Sequence, residues 1–301
     1  MYENLYKNFS VVIRSASERT VEVCNYIIKK ELPAGVKMTT IELQPFEAAL
    51  RKSYELGIQS KKKWLVIVDA DVLPKYGAIQ NLIGRAEKSK RNIIQLEGYL
   101  YDGILLKYRM GGIKIYRCDL LNHAIKMIPE NGSVIRPESY TLRKMNEKGW
   151  RRKILYVVTG LHDFEQFRKD LYRKSYIHAV KHRKEIIEKI PVWADMANSD
   201  DDYKIIMQGV FDGLLDQGSA KIDTRDFKTS SVEALEKLKI SEKSAEINFK
   251  QIEKKIVATL NSLDPLFPPV SVEKVKYHLK YYGFKETSHH FIKSVAKKIF
   301  N

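Results

Sequence analysis

Short apolar segments alternate with amphipathic segments along the first part of the chain. Unbroken apolar runs between polar residues are typical of buried strands, and apolar residues three and four positions apart are typical of helices. The first strands predicted in this way are 9–15, 36–43 and 63–71, and the helices between them are 18–32 and 45–60. A strand–helix alternation of this kind predicts an α/β fold with a largely parallel sheet.

The same pattern continues to about residue 190 and then changes. Further strands are predicted at 92–101, 111–121 and 151–160, with helices at 73–90, 139–149 and 165–190, the last closed by Pro191. Beyond them we expect a polar loop at 198–204, helical structure at 230–263, a proline-containing linker at 263–271 and a basic helix at 272–301. We therefore predict one domain over 1–190 and a helical C-terminal region over 191–301, suited to binding a membrane or a partner.

The charge balance indicates an anionic partner. Lysine and arginine number 53 against 37 acidic residues, which gives a net charge of +16. Such a surplus attracts a nucleic acid, a phosphate-bearing substrate or an acidic membrane surface. A soluble protein from a lysine-rich proteome would look the same. Charge alone therefore does not choose among these possibilities.

Other bulk features favour a globular protein of a reducing compartment. Hydrophobic residues make up 44% of the chain and charged residues 30%, which is a globular composition. No apolar run reaches the roughly 18 residues that span a bilayer, and the N-terminus lacks the pattern of a signal peptide. Cys24 and Cys118 each lie in an apolar stretch, so we expect no disulfide and a cytoplasmic location.

Two aspartates close the third predicted strand, in KWLVIVDAD (63–71). Residues i and i+2 of an extended chain face the same way, and the carboxyl ends of parallel strands form the ligand-binding edge of an open sheet. Two neighbouring carboxylates repel each other unless a cation neutralises them. Asp69 and Asp71 therefore predict Mn²⁺ or Mg²⁺ carrying a substrate diphosphate. An ordinary polar turn, where aspartate is common, is the alternative.

Several segments resemble GT-A glycosyltransferases, especially family-2-type enzymes. PFEAALRKSYELGIQSKKKWLVIVDADVLP looks like their Asp-x-Asp segment, and FSVVIRSASER looks like their first strand and nucleotide loop. MGGIKIYRCDLL is similar to their acceptor-side glycine and strand. RPESYTLRKMNEKGWRRKIL is similar to a later segment with an acidic pair, of which only Glu138 is present. The resemblance covers residues 9 to about 170.

This resemblance implies a fold and an activity. The fold would be a Rossmann-like GT-A domain, a mostly parallel sheet flanked by helices, here with a helical C-terminal extension. The activity would be metal-dependent transfer of a sugar from a nucleotide-sugar donor to a glycan or lipid-linked acceptor. Inversion at the anomeric carbon and a role in surface polysaccharide biosynthesis are the family expectation. Neither the sugar, the base nor the acceptor follows from the sequence.

The resemblance also assigns metal and catalytic residues. It gives Asp71 a direct contact with the metal and Asp69 a contact with the ribose or an indirect one with the metal. His162, in VTGLHDFEQF, stands where many of these enzymes place a third metal ligand. Glu138 is the candidate general base, because an inverting transfer needs a carboxylate to accept the acceptor's proton. A capping or surface histidine and an acid in a first helical turn are the alternatives.

Donor and acceptor contacts are assigned in the same way. Arg14 and Ser15 replace part of the usual nucleotide loop, and Asp69 and Ala70 complete the expected donor side. The segment before the Asp-x-Asp motif is short for the family and lacks its Asp-rich loop, so we expect Glu42 or Gln44 to read the base. The residues expected on the acceptor side are Glu97, Asp102, Gly111 and Gly112.

The sequence also allows other interpretations. A sugar-nucleotidyltransferase would need a glycine-rich phosphate loop, which RSASERT lacks, and a nucleic-acid-binding protein would be expected to show a stronger motif than net charge. His178 and His182 have the i, i+4 spacing of zinc ligands, but the basic residues around them favour a solvated face. The basic C-terminal helix suits either the inner face of a plasma membrane or packing against the domain.

Overall fold

A seven-stranded sheet forms the centre of the protein in a computed structural model that describes residues 8–33, 35–216 and 223–263. The strands are β1 (Phe9–Ser15), β2 (Met38–Glu42), β3 (Trp64–Asp69), β4 (Val72–Pro74), β5 (Ile93–Asp102), β6 (Lys107–Arg117) and β7 (Arg151–His162). Their order is β2-β1-β3-β6-β5-β7-β4. Only β6 and β4 run against the others, so the predicted α/β class and mostly parallel sheet are confirmed.

Helices cover both faces of this sheet. They are α1 (Val21–Glu31), α2 (Phe46–Gln59), α3 (Ala78–Glu87), α4 (Leu121–Ile125), α5 (Pro137–Glu147), α6 (Arg168–Lys181), α7 (Arg183–Met196), α8 (Asp201–Leu215), α9 (Lys228–Leu238) and α10 (Phe249–Ser262). Successive residues of β3 point to opposite faces. Val66 and Val68 pack with α1 and α3, while Leu65 and Ile67 pack with α2, α4 and α5.

The single helix predicted over 165–190 is wrong. The chain breaks at His182, whose φ of −134° is not helical, and α6 and α7 lie on either side of it. Pro191 does not end a helix but lies inside α7. The indole of Trp193, just beyond the proline, is fully buried and donates to the Ile104 carbonyl at 2.8 Å. Tertiary packing therefore carries the helix through a residue that normally breaks it.

The predicted polar loop at 198–204 is also largely wrong. Its aspartates form the start of α8, where the Asp200 side chain accepts the Asp202 N–H at 2.8 Å. Aspartate is a favoured N-cap, because its oxygen satisfies a backbone donor that the helix leaves free. The helical segment predicted at 230–263 is present as two helices, because Lys239 adopts a left-handed conformation (φ 55°) at the end of α9.

A third apolar cluster joins the helices that follow β7. Ile177 of α6, Trp193 of α7, Ile205 of α8 and Leu235 of α9 are all buried in it. The described residues up to Ile256 form one compact unit, and those from Val257 onward belong to a second. The shared cluster packs α7, α8 and α9 with α6, and the predicted division at residue 190 stays a prediction.

Two glycines of α8 allow a close approach to α6. A Cβ atom on Gly209 would collide with the Tyr172 carbonyl oxygen, and one on Gly213 would lie 2.5 Å from the Tyr176 carbonyl oxygen. The two helices are therefore packed backbone against backbone along one turn. This contact determines how far α6 stands from α8.

The C-terminal predictions lie outside the described residues. They are the linker at 263–271, the basic helix at 272–301 and the peripheral membrane location that depends on that helix. No helix in the described part of the chain is long and apolar enough to cross a membrane. Cys24 and Cys118 are buried free thiols, as expected.

The buried residue Glu31 should make the stability of the protein depend on pH. Its carboxyl group is buried at the end of α1, where Oε1 accepts the Ile79 N–H at 3.2 Å and Oε2 has no partner among the described residues. Burial raises the pKa of Glu31 to about 7. This pKa is higher in the folded protein than in the unfolded chain. The contribution of Glu31 to the free energy of unfolding is therefore fully present below about pH 4 and is lost as the pH rises through 7.

We therefore expect the free energy of unfolding of the wild type to fall by about 2 kcal/mol more than that of Glu31→Gln between pH 5 and pH 8. Urea unfolding at the two pH values measures this difference. Glu130→Gln, at an exposed position, is the matched control and should follow the wild type. Parallel pH profiles for wild type and Glu31→Gln would show that the carboxyl group ionises in the folded protein without cost.

Candidate active site

A cavity of about 240 Å³ lies at the carboxyl ends of β1 and β3. These strands are parallel neighbours, with Arg14 of β1 in register with Asp69 of β3, so their last residues reach the same edge of the sheet. The cavity is lined by Arg14, Ser15, Ala16, Glu18, Leu43, Gln44, Pro45, Phe46, Ala49, Asp69, Asp71, Arg173, Lys174 and Asp223. Four donor-side residues predicted from the sequence, Arg14, Ser15, Gln44 and Asp69, therefore meet in one place.

The Asp69 carboxylate is held by two cations. Arg14 donates to Oδ1 through Nε at 2.8 Å and lies 2.7 Å from it through Nη2, and Lys114 Nζ lies 3.1 Å from Oδ2. The same two cations reach Glu138, Lys114 at 2.7 Å and Arg14 at 3.5 Å. Tyr116 adds a hydrogen bond to Glu138 at 2.7 Å. Asp69 and Glu138 thus share Arg14 and Lys114 as their cationic partners.

This pairing bears on the general-base assignment. Burial would raise the pKa of Glu138, but Lys114 and Arg14 outweigh it and lower that pKa to about 2. A carboxylate with so low a pKa is ionised at neutral pH but is a weak proton acceptor. The geometry favours a role for Glu138 in positioning Arg14 and Lys114. Its role as general base stays a prediction.

Asp71 belongs to a second charge cluster with different partners. Its Oδ2 lies 2.7 Å from Lys174 Nζ and 3.4 Å from His162 Nε2, while its Oδ1 is buried without a hydrogen-bond partner. Asp163, which follows β7 in a left-handed conformation (φ 60°), forms an ion pair with Lys174 and lies 2.9 Å from His162 Nδ1. The cluster therefore consists of two carboxylates, one imidazole and one ammonium group.

The donor set of this cluster suits a divalent cation. Ligand atoms of Asp71, His162 and Asp163 all lie within 4.8 Å of one another. Two carboxylates and an imidazole are ligands that Mn²⁺ accepts, and the unpartnered Oδ1 of Asp71 has a free ligand position. Despite burial, Lys174 and His162 hold the pKa of Asp71 well below its usual range. Asp71 is therefore in the charged form that metal binding requires. Despite burial, Asp163 and Asp71 raise the pKa of His162 well above its usual range, so this ring would have to release a proton when a metal binds.

Asp102 holds the imidazole of His162 in place. The carboxylate is fully buried, and its Oδ1 accepts the N–H groups of Ile104 and Leu105 at 3.1 and 2.8 Å. Its Oδ2 lies 2.8 Å from Arg109 and 3.1 Å from His162 Nδ1. A carboxylate on one ring nitrogen is a common way to orient the other nitrogen toward a metal. Asp102, predicted on the acceptor side, thus lies behind His162.

The remaining predicted residues occupy varied positions. Glu97 is buried in an ion pair with Arg152, and Ala70 is completely buried in the core. Glu42 accepts a hydrogen bond from the Ser17 hydroxyl. Gly111 and Gly112 have φ values of 137° and 85°, and a Cβ on Gly112 would lie 2.7 Å from Leu100 Cδ2. The side chains of Glu97 and Ala70 are thus unavailable to a ligand as the site stands.

Sequence reasoning missed several members of the site. Lys174 and Asp163 complete the Asp71 cluster, and Glu18 and Arg173 line the cavity. Lys174 had a detectable signal, because it stands three residues from Leu171 and three from Ile177, on the apolar face of a helix. The solvated face predicted for His178 is wrong. This histidine lies beside Asp102 and Asp163, and burial lowers its pKa to about 3.

Comparison with known proteins finds structural similarity only. The sequence matches no family model and no curated protein. One similar solved structure is the mannosyltransferase PcManGT from Pyrobaculum calidifontis in complex with GDP-Man and Mn²⁺, with 13% identity over 86% of this chain and 81% of that chain and a TM-score of 0.42.

Two further solved structures are similar over about half of this chain. Glucosyl-3-phosphoglycerate synthase from Mycobacterium tuberculosis, in complex with Mn²⁺, UDP and its product, shows 12% identity over 54% of this chain and 76% of that chain, with a TM-score of 0.39. CMP:2-keto-3-deoxy-manno-octonic acid synthetase with CTP shows 10% identity over 52% and 92%, with a TM-score of 0.38. Glycosyltransferases and a nucleotidyltransferase are thus among the similar structures.

Proposed function

We propose that the protein is a metal-dependent glycosyltransferase that moves a sugar from a nucleotide-sugar donor to a glycan or lipid-linked acceptor. The observation that carries this proposal is the cavity at the ends of β1 and β3. Its lining includes several cationic side chains and Asp71, which also belongs to the cluster of two carboxylates and an imidazole. A nucleotide-sugar presents a diphosphate between a base and a sugar. Cationic side chains and a divalent ion are the groups that neutralise such a diphosphate.

The cavity offers separate contacts for the parts of the donor. Arg14, Arg173 and Lys174 supply positive charge for the phosphates. Phe46 packs its ring 4.7 Å from the Arg14 guanidinium and remains 36% exposed, which leaves apolar surface for a base or ribose. Gln44 lies on the same wall and provides both a donor and an acceptor of hydrogen bonds. We assign base recognition to this wall.

Asp71, His162 and Asp163 are the residues that would hold Mn²⁺ or Mg²⁺. The ion would offset the negative charge that develops on the leaving diphosphate. The protein's own part is to keep the ligands oriented: Asp102 holds the His162 ring, and Lys174 keeps Asp71 and Asp163 side by side. Glu138 acts from behind, because it fixes Arg14 and Lys114 against Asp69. Inversion and a role in surface polysaccharide synthesis stay predictions from the resemblance.

A donor screen tests the proposal. The melting temperature is measured with UDP-, GDP-, CMP- and TDP-sugars in the presence and absence of Mn²⁺, followed by release of free nucleotide. At least one donor should raise the melting temperature only with the metal, because binding to the native state stabilises it. Nucleoside triphosphate with a sugar 1-phosphate is the comparison, and pyrophosphate release from that pair would indicate a nucleotidyltransferase.

Failure of the proposal has a defined outcome. The proposed activity is wrong if no nucleotide-sugar binds or is hydrolysed while RNA binds with a steep salt dependence. The net charge of +16 would then be explained by binding to a nucleic acid.

A further inference from the structure

A second cavity, of about 640 Å³, lies between α5 and α6. We call it the basic groove, and the residues that matter here are Ile135, Arg136, Tyr140, Arg143, Val180 and Lys181. Ile135 and Val180 give it apolar surface, and Tyr140 gives it an aromatic ring. Nothing in the donor-binding assignment uses these residues.

The charges in the basic groove are all positive. Within the described part of the chain, none of Arg136, Arg143 and Lys181 forms a salt bridge with a carboxylate. Arg136 instead lies 2.5 Å from His182 Nε2, and Arg143 lies over the Tyr140 ring at 5.2 Å. Burial and nearby arginines, Arg136 first among them, lower the pKa of Lys181 to about 8. Such uncompensated charges favour an anion, because it would relieve their mutual repulsion.

The basic groove is connected to the candidate active site through both of its helices. Lys174 of the Asp71 cluster and Lys181 of the groove are seven residues apart on α6, so they lie on one face with a rise of about 10 Å between them. Glu138 of the active site and Arg143 of the groove are five residues apart on α5, with a rise of about 7.5 Å between them, and lie on different faces of the helix. An anion beside Lys181 would therefore lie about 10 Å along the α6 axis from the level of Lys174.

We propose that the basic groove is an acceptor subsite that binds a phosphate or diphosphate group on the acceptor. The phosphate contacts Arg136, Arg143 and Lys181, and the body of the acceptor lies along Ile135, Tyr140 and Val180. The hydroxyl that receives the sugar then points toward the Asp71 cluster. This inference rests on the proposed function, and it narrows the acceptor to a phosphorylated one.

Direct binding of phosphate compounds tests the subsite without any donor. Isothermal titration with inorganic phosphate, a monosaccharide 1-phosphate and a sugar joined through diphosphate to a short alkyl chain is compared among the wild type, Arg143→Gln/Lys181→Gln and Lys148→Gln. Lys148, at the end of α5 and outside the groove lining, is the control for a lost charge. The double variant should bind the phosphorylated probes at least tenfold more weakly, and Lys148→Gln should match the wild type.

The probes also separate the two sources of a phosphate. Tighter binding of the alkyl diphosphate than of the soluble sugar phosphate would indicate a lipid-linked acceptor, and the reverse order a soluble phosphosugar. Each order supports the subsite as long as binding depends on Arg143 and Lys181. Equal affinity in the wild type and the double variant would overturn the subsite, because the phosphate would then bind elsewhere.

The two proposals fail in different ways. Binding that depends on Arg143 and Lys181, in a protein that binds no nucleotide-sugar, would support the basic groove and contradict the proposed function. A protein that hydrolyses a nucleotide-sugar but binds phosphate compounds equally well without the two cations would keep the function and lose the subsite. Circular dichroism and melting temperature establish that each variant is folded.

Discussion

Asp71→Asn should abolish metal-dependent nucleotide binding while leaving the protein folded. The substitution removes the negative charge and one oxygen ligand but keeps the shape of the side chain. Asp71 lies beside His162 and Asp163 and has a buried oxygen with no partner, so it is the best-placed metal ligand in the cluster. We expect the affinity for nucleoside diphosphate with Mn²⁺ to fall by about 100-fold or more, which corresponds to about 3 kcal/mol. Titration calorimetry with and without the metal measures the loss.

Asp119→Asn is the matched control for this prediction, because Asp119 is an exposed aspartate after β6. It should bind the nucleotide and the metal as the wild type does. Asp69→Asn is the informative comparison, because Asp69 is already occupied by Arg14 and Lys114 and should affect metal affinity less. Full metal-dependent binding in Asp71→Asn would show that the cation is held elsewhere.

Lys174→Gln should destabilise the protein strongly and make its stability depend on a divalent cation. Lys174 Nζ forms ion pairs with both Asp71 and Asp163, and the side chain is only 10% exposed. Without the ammonium group Asp71 and the buried Asp163 keep only His162 as a cationic neighbour in the cluster, and breaking a buried ion pair in this way typically costs about 3–5 kcal/mol. Mn²⁺ can neutralise the same two carboxylates, so it should restore a large part of the loss.

Urea unfolding with and without Mn²⁺ measures this effect on the free energy of unfolding. The stabilisation by Mn²⁺ should be larger in Lys174→Gln than in the wild type, because no ammonium group then competes for Asp71 and Asp163. Lys169→Gln, on the exposed side of the same helix, should respond as the wild type does. An equal response to Mn²⁺ in Lys174→Gln and the wild type would mean that the lysine and the metal do not share ligands.

The strands and the donor edge could be predicted because their signals are local. The apolar run before Asp69 identifies β3, and the alternation with helices identifies a mostly parallel sheet. From the order of elements alone, Arg14 and Asp69 could then be expected at one edge. The continuation of α7 through Pro191 could not be predicted in this way, because it depends on a tertiary contact, the hydrogen bond from the buried Trp193 to the Ile104 carbonyl.

The completed charge clusters could not be predicted, because their members are far apart in the chain. Lys174 lies 103 residues from Asp71, and Lys114 lies 45 residues from Asp69. No spacing rule links such pairs. The sequence predicts repulsion between Asp69 and Asp71, whereas the folded chain gives each carboxylate its own cations. The separation of the two aspartates into different clusters is therefore visible only in the tertiary structure.

The close contact of Gly209 and Gly213 with α6 extends the constraint on the site to residues that touch no ligand. Lys174 and Lys181 both belong to α6, so the distance between α6 and α8 sets the position of the lysine side chain at each cavity. A single methyl group at either glycine would push the helix outward and shift both lysines together. The residues allowed at these two positions of α8 are thus restricted by the need to place two lysines of α6. A homologue with larger residues at these positions should show compensating changes along Tyr172–Tyr176.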